Sequence, residues 1–158
     1  MDEKIEEVFH DVLLLSDIKT KEEVIKKMSD YLLDKGYITD EYYLATIERE
    51  TIFPTGLPTK PIGTAIPHSE AENVVKPAVI LAVLNNTVKF SDMSNRENEI
   101  DVGIVFLMAL KGENNQINYL RNIADFCKEE ENVLKIYNSK CKKEAMVIFS
   151  EEILMQST

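Results

Sequence analysis

The stretch "KPAVILAVLNN", Lys76–Asn86, decides how this chain must fold. From Pro77 to Leu84 it is apolar at every position and rich in β-branched side chains. A strand with one wet face would alternate apolar and polar residues. A strand apolar on both faces must be covered on both. "EIDVGIVFLMAL", Glu99–Leu110, reads the same way, and "TVKF", Thr87–Phe90, reads as a short strand between the two.

The flanking sequence offers the two covering layers. Thr20 and Glu23 have capping-box spacing at the head of "KEEVIKKMSDYLLDKG". Val24, Ile25, Met28, Leu32 and Leu33 form its apolar stripe, and Gly36 suits the position just past its end. A second helix is expected from Thr39, with Tyr42, Tyr43 and Ile47 on one side, stopping before Pro54. Residues 3–15 fit either a helical face (Ile5, Val8, Phe9, Val12, Leu13) or a short strand at His10–Leu14. After Gly112, "NNQINYLRNIADFCKEEENVLKIYNS" is helical, with Ile117, Leu120, Ile123, Ala124 and Cys127 on one face. "CKKEAMVIFSEEIL" is a last amphipathic helix. This order predicts an α/β layered sandwich: a mostly parallel or mixed sheet of about five strands, with helices on both faces. The 158 residues suit one domain, 1–158, large enough to bury a core without a metal or disulfide staple.

Charge narrows the function classes. With 28 acidic and 18 basic side chains the formal net charge is −10. Nucleic acid and anionic membrane surfaces both call for a basic footprint, so both are excluded as partners. No apolar run reaches the roughly 18 residues of a membrane span, and "MDEKIEEVF" lacks a signal-peptide core, so no membrane insertion is expected. Cys127 and Cys141 form no CxxC pair and read as reduced thiols of a cytoplasmic protein.

Between the second helix and the strands lies "FPTGLPTKPIGTAIPHSEAE", Phe53–Glu72. It carries Pro54, Pro58, Pro61 and Pro67, four of the five prolines in the chain, and it closes on His68. Pro67 locks its own φ and restricts Ile66, so the backbone entering His68 is stiff. Ser69 and Glu72 have capping-box spacing, so a helical turn opening there would favour an anion and a neutral imidazole. Neutral imidazole is a nucleophile near neutral pH. Arg49, at the end of the preceding helix, could fork onto phosphate oxygens. His10, between Phe9 and Asp11 in an amphipathic stretch, reads as structural. His68-Ser69-Glu70 matches half of a zinc deaminase motif, but the P-C-x-x-C half is missing, so no metal is expected. Phosphate-loop, dinucleotide-loop and G-x-S-x-G motifs are absent.

Arg49 followed by Gly63-Thr64-Ala65-Ile66-Pro67-His68 resembles the arginine and G-x-A-[IV]-P-H motif of the IIA components of the phosphoenolpyruvate-dependent sugar phosphotransferase system, fructose/mannitol superfamily. The resemblance covers essentially the whole chain. It implies a phosphotransferase without cofactor, in which His68 accepts a phosphoryl group from phospho-HPr, on Nε2 in this family. The group then passes to a cysteine of a IIB component, which phosphorylates the sugar admitted by the membrane component IIC. Arg49 matches the family arginine beside the phosphohistidine. Mannitol-type members carry a second histidine in the segment matching "ENNQINYL", where this chain has Gln116. Gln116 could orient the imidazole or contact a phosphate oxygen. With "FPTG" at Phe53–Gly56 and "HSEAE", that glutamine makes the chain most similar to galactitol-type members. A regulatory module, phosphorylated but serving to control other proteins, is the second expectation.

Overall fold

The computed structural model describes residues 7–154. The ambiguity at the N-terminal end settles as a strand: β1 is Phe9–Leu15, and Ile5 lies outside the described residues. β1 runs parallel to β4, Ala78–Asp92, in unbroken register from Phe9 opposite Ala78 to Leu15 opposite Leu84. A helix at this position would leave the edge of an apolar strand with buried, unpaired backbone groups.

β4 and β5, Asn95–Ala109, form one long antiparallel hairpin. Asp92 organises its turn, accepting from the Ser94 backbone N–H and hydroxyl, both at 2.9 Å. "TVKF" is therefore not a separate strand. It is the outer half of β4, reached across a register shift between Val83 and Val88 with Asn85–Thr87 exposed. β5 is long enough to pair with both halves, so the extra residues bulge instead of turning.

β3, Gly63–Ala65, runs parallel to β5, and β2, Gly56–Leu57, pairs antiparallel with β3. Gly56 also meets Asp92 at the far end of β4. A Cβ at Gly56 would lie 2.4 Å from the Ser91 carbonyl oxygen, so only glycine allows that approach. The result is a five-stranded mixed sheet, as expected, with its central pair antiparallel.

Alternation along the central strands sorts the core into two layers. Ile80, Ala82, Leu84, Val105 and Leu107 pack with Ile25, Met28, Leu32 and Tyr42 of α1, Lys21–Asp34, and α2, Tyr42–Ile52. Val79, Leu81, Ile104 and Phe106 pack on the opposite face. They meet α3, Glu113–Cys127, α4, Glu130–Tyr137, α5, Lys142–Ile148, and the wide helical turn Phe149–Leu154 that continues α5.

The Thr20 hydroxyl caps α1 by accepting the Glu23 N–H, and Gly36 follows it at φ 82°. Leu33, assigned to the apolar stripe, sits at its edge, 37% exposed. α2 begins three residues after Thr39, whose carbonyl accepts the Tyr42 N–H in a preceding turn. The long C-terminal helix expected after Gly112 is two helices. The chain becomes extended at Glu129, and the Asn132 side chain donates to the Phe126 carbonyl, holding the break. Ile117 is half exposed, while Ile123 and Cys127 are buried. The two cysteines are unpaired, Cys127 buried and Cys141 exposed.

Candidate functional site

His68 continues the line of β3 beside β5. Its backbone bridges to Met108 in parallel, and the Met108 N–H donates to the Pro67 carbonyl at 3.1 Å. Tyr42, the first residue of α2, donates its buried hydroxyl to the Met108 carbonyl at 2.6 Å. The histidine is thus mounted on the central sheet, not on a free loop.

The imidazole is oriented by its own backbone. Nδ1 lies 2.9 Å from the Ile66 carbonyl oxygen. A carbonyl can only accept, so Nδ1 carries the proton in the neutral ring, and Nε2 is left with its lone pair. Nε2 has no protein hydrogen-bond partner among the described residues. Burial is the main influence holding the His68 pKa below the ordinary 6.5. The Ile66 carbonyl opposes that shift, the Arg49 cation adds to it, and Glu70 opposes it. His68 is therefore neutral at pH 7.

Arg49 lies in the last turn of α2. Its Nη1 donates to Glu70 Oε1 at 2.7 Å, and its guanidinium lies 5.5 Å from the Phe53 ring centre. The buried Nε has no partner, which leaves the arginine with unused donor capacity. Arg49, His68, Ser69, Glu70, Gly112 and Gln116 line one cleft of about 250 Å³. The structure thus brings the three residues singled out in the sequence into one cavity.

Two sequence expectations change here. Ser69 does not open a helix: the short 3₁₀ turn behind His68 is Ala71–Asn73, and the Ser69 hydroxyl instead accepts from Asn73 Nδ2. The helix N-terminus at the cleft belongs to α3, whose first turn after Gly112 has no side-chain cap. Gly112 and Gln116 line the cleft, so this helix start, a kind of place that favours anions, lies beside it. Gln116, in that first turn, makes no hydrogen bond to His68, whose orientation is already set by the Ile66 carbonyl.

His10 differs in kind. It bonds the Tyr119 hydroxyl at 2.7 Å and meets the Phe149 ring edge-on, and burial pushes its pKa down to about 4. It is a half-buried histidine held by packing and a hydrogen bond. Among the described residues no three His, Cys, Asp or Glu side chains converge as metal ligands, and no helix is long and apolar enough to cross a membrane.

Sequence reasoning missed Glu70 as the partner of Arg49, and Lys111 at the cleft. It also missed Glu50 and Thr55, which are buried beneath it. Glu70 lies two residues past His68 with no spacing that ties it to Arg49. Lys111 follows an apolar strand as an ordinary strand-end charge.

Comparison with known proteins assigns the chain first to a class, the phosphotransferase components, and then to a family. Residues 9–152 match the family described as phosphoenolpyruvate-dependent sugar phosphotransferase system, EIIA 2, and the chain belongs to it. The mannitol-specific phosphotransferase enzyme IIA component of Bacillus subtilis is 30% identical, over 85% of this chain and 89% of that protein. The galactitol-specific EIIA component of Escherichia coli is 31% identical, over 64% of this chain and 67% of that one. Among solved structures, the complex of mannitol enzyme IIA with phosphorylated enzyme IIB from Escherichia coli is similar in fold. Its TM-score is 0.73 at 21% identity, covering 89% of this chain and 94% of that one. The chain is thus an α/β phosphotransferase component of the sugar phosphotransferase system, and its mannitol-specific and galactitol-specific relatives stand at nearly the same identity.

Proposed function

We propose that this protein is a cytoplasmic single-domain phosphoryl carrier that works through His68. The Nε2 lone pair attacks the phosphorus of phospho-HPr in line. The Nε2–P bond forms, and the bond to the donor breaks with its electron pair leaving on the donor. The next transfer is to a cysteine of a IIB component. IIB serves the polyol admitted by the membrane component IIC. Arg49 and the backbone N–H groups at the start of α3 stabilise the charge on the transferring phosphoryl oxygens, a largely electrostatic task. Gln116 contacts a phosphate oxygen from the same turn. No metal or organic cofactor takes part.

The observation that carries this reading is the Nδ1 contact with the Ile66 carbonyl. It leaves the nucleophilic nitrogen unpartnered in a cleft that also holds an arginine. Galactitol is the preferred route, supported by Gln116 in place of a second histidine and by the "FPTG" approach to the site.

The test is phosphorylation by phosphoenolpyruvate, Enzyme I and HPr, read as acid-labile phosphate on the protein. Wild type and His10→Ala are expected to label, and His68→Ala is not. Label retained in His68→Ala refutes the assignment. Offering the labelled protein galactitol-type and mannitol-type IIB acceptors then separates the routes. Faster transfer to the mannitol-type acceptor overturns the galactitol choice, and label that moves to neither overturns the carrier role in favour of regulation.

A further inference from the structure

Glu50 follows Arg49 on α2 and turns about 100° away from it around the helix. Its side chain is 2% exposed, and a carboxyl so buried needs partners. Both come from Thr55. The Thr55 N–H donates to Glu50 Oε2 at 2.8 Å, and the Thr55 hydroxyl donates to Oε1 at 2.9 Å. That hydroxyl oxygen also accepts the Ile66 N–H at 3.0 Å. The far side of the same residue, the Ile66 carbonyl, is what holds His68 Nδ1.

We propose that Glu50 and Thr55 are positioning residues for phosphoryl transfer: they clamp Ile66 so that its carbonyl keeps His68 in the Nδ1–H tautomer with Nε2 presented to the donor. The proposal rests on His68 being the phosphoryl acceptor. The hydrogen bond to the Ile66 N–H fixes the peptide that enters Ile66. Pro67 restricts Ile66 to extended backbone, and the Pro67 carbonyl is itself tied to the Met108 N–H. With both flanks held, the Ile66 carbonyl cannot rotate away from the imidazole. The Glu50 carboxyl, as acceptor of the threonine proton, sets the direction of the relay, leaving the hydroxyl lone pairs for Ile66. One helix end then serves two tasks: Arg49 faces the cleft and Glu50 locks the mount.

Thr55→Val keeps the shape of the threonine and removes the hydroxyl. Two readouts are taken: the His68 tautomer from imidazole ¹⁵N shifts, and the rate of phosphorylation by phospho-HPr. Wild type is expected as the Nδ1–H tautomer. Thr55→Val is expected to show a tautomer mixture and a rate lower by about 10- to 100-fold. Thr55→Ser is expected to restore both. A folded Thr55→Val protein with the wild-type tautomer or the wild-type rate overturns the proposal. If that variant does not fold, Glu50→Gln, which loses one of the two acceptor contacts, carries the same test, and an unchanged tautomer or rate there overturns it equally. Absence of label on wild-type His68 would refute the carrier reading itself. The tautomer measurement is made without any donor and keeps the two failures distinct.

Discussion

Replacing Glu50 by glutamine should change how stability depends on pH, by an amount that burial sets. Burial raises the Glu50 carboxyl from an ordinary 4.5 to about 7, and the Thr55 hydrogen bonds and the charge of Lys21 offset only part of that. The folded state therefore binds this proton more tightly than the unfolded chain. Its contribution to stability is complete below pH 4.5 and is lost as pH rises through about 7. At 1.36 kcal/mol per pKa unit the whole effect is about 3 kcal/mol, of which about 2.5 kcal/mol falls between pH 5 and pH 8. Glutamine does not titrate. The stability of Glu50→Gln minus that of wild type should therefore rise by about 2.5 kcal/mol over this range. In a chain of this length that corresponds to roughly 5–10 °C in melting temperature. His10, held below its ordinary pKa by burial, acts in the opposite direction, but it does so in both proteins and cancels in the difference; the His68 contribution is read separately, from its titration in each protein. Urea denaturation at pH 5 and pH 8, with m compared between variants, measures it. Any constant offset from altered hydrogen bonding is irrelevant, because only the change with pH counts. A difference that stays flat across this range would refute the claim that the carboxyl is desolvated.

Two further outcomes follow from the geometry. The His68 ring should titrate below the ordinary 6.5 in an NMR pH series. Arg49→Ala should move the midpoint up, because a cation no longer opposes imidazolium, and Glu70→Gln should move it down. Tyr42→Phe leaves the buried Met108 carbonyl without its side-chain donor and should cost about 1–3 kcal/mol, read by chemical denaturation.

Much of the architecture was legible because it is written in short-range pattern. Apolar continuity in Pro77–Leu84 and Val102–Leu110 requires strands covered on both faces, and the helical stripes at either end supply the cover. The cap at Thr20, the turn past Gly36 and the stiff approach to His68 also follow from neighbouring residues. What could not be read was pairing. Whether "TVKF" is its own strand depends on β5 reaching past the bulge, and whether Phe9–Leu15 is helix or strand depends on the open edge of β4.

The same division runs through the site. The sequence by itself determined that His68 sits on restrained backbone and that an arginine ends the helix before it, since proline geometry and helix length act within a few residues. Only the tertiary structure decided which groups complete the site. Ser69 was expected to supply the anion-favouring helix end, and the start of α3, some forty residues later, supplies it instead. The ring is oriented by the Ile66 carbonyl and not by Gln116, and Thr55, itself bonded to Glu50, accepts the N–H of that same Ile66. These partners are backbone groups and buried polar side chains. Their hydrogen bonds exist only once the chain is folded and water is gone, and no spacing along the sequence encodes them.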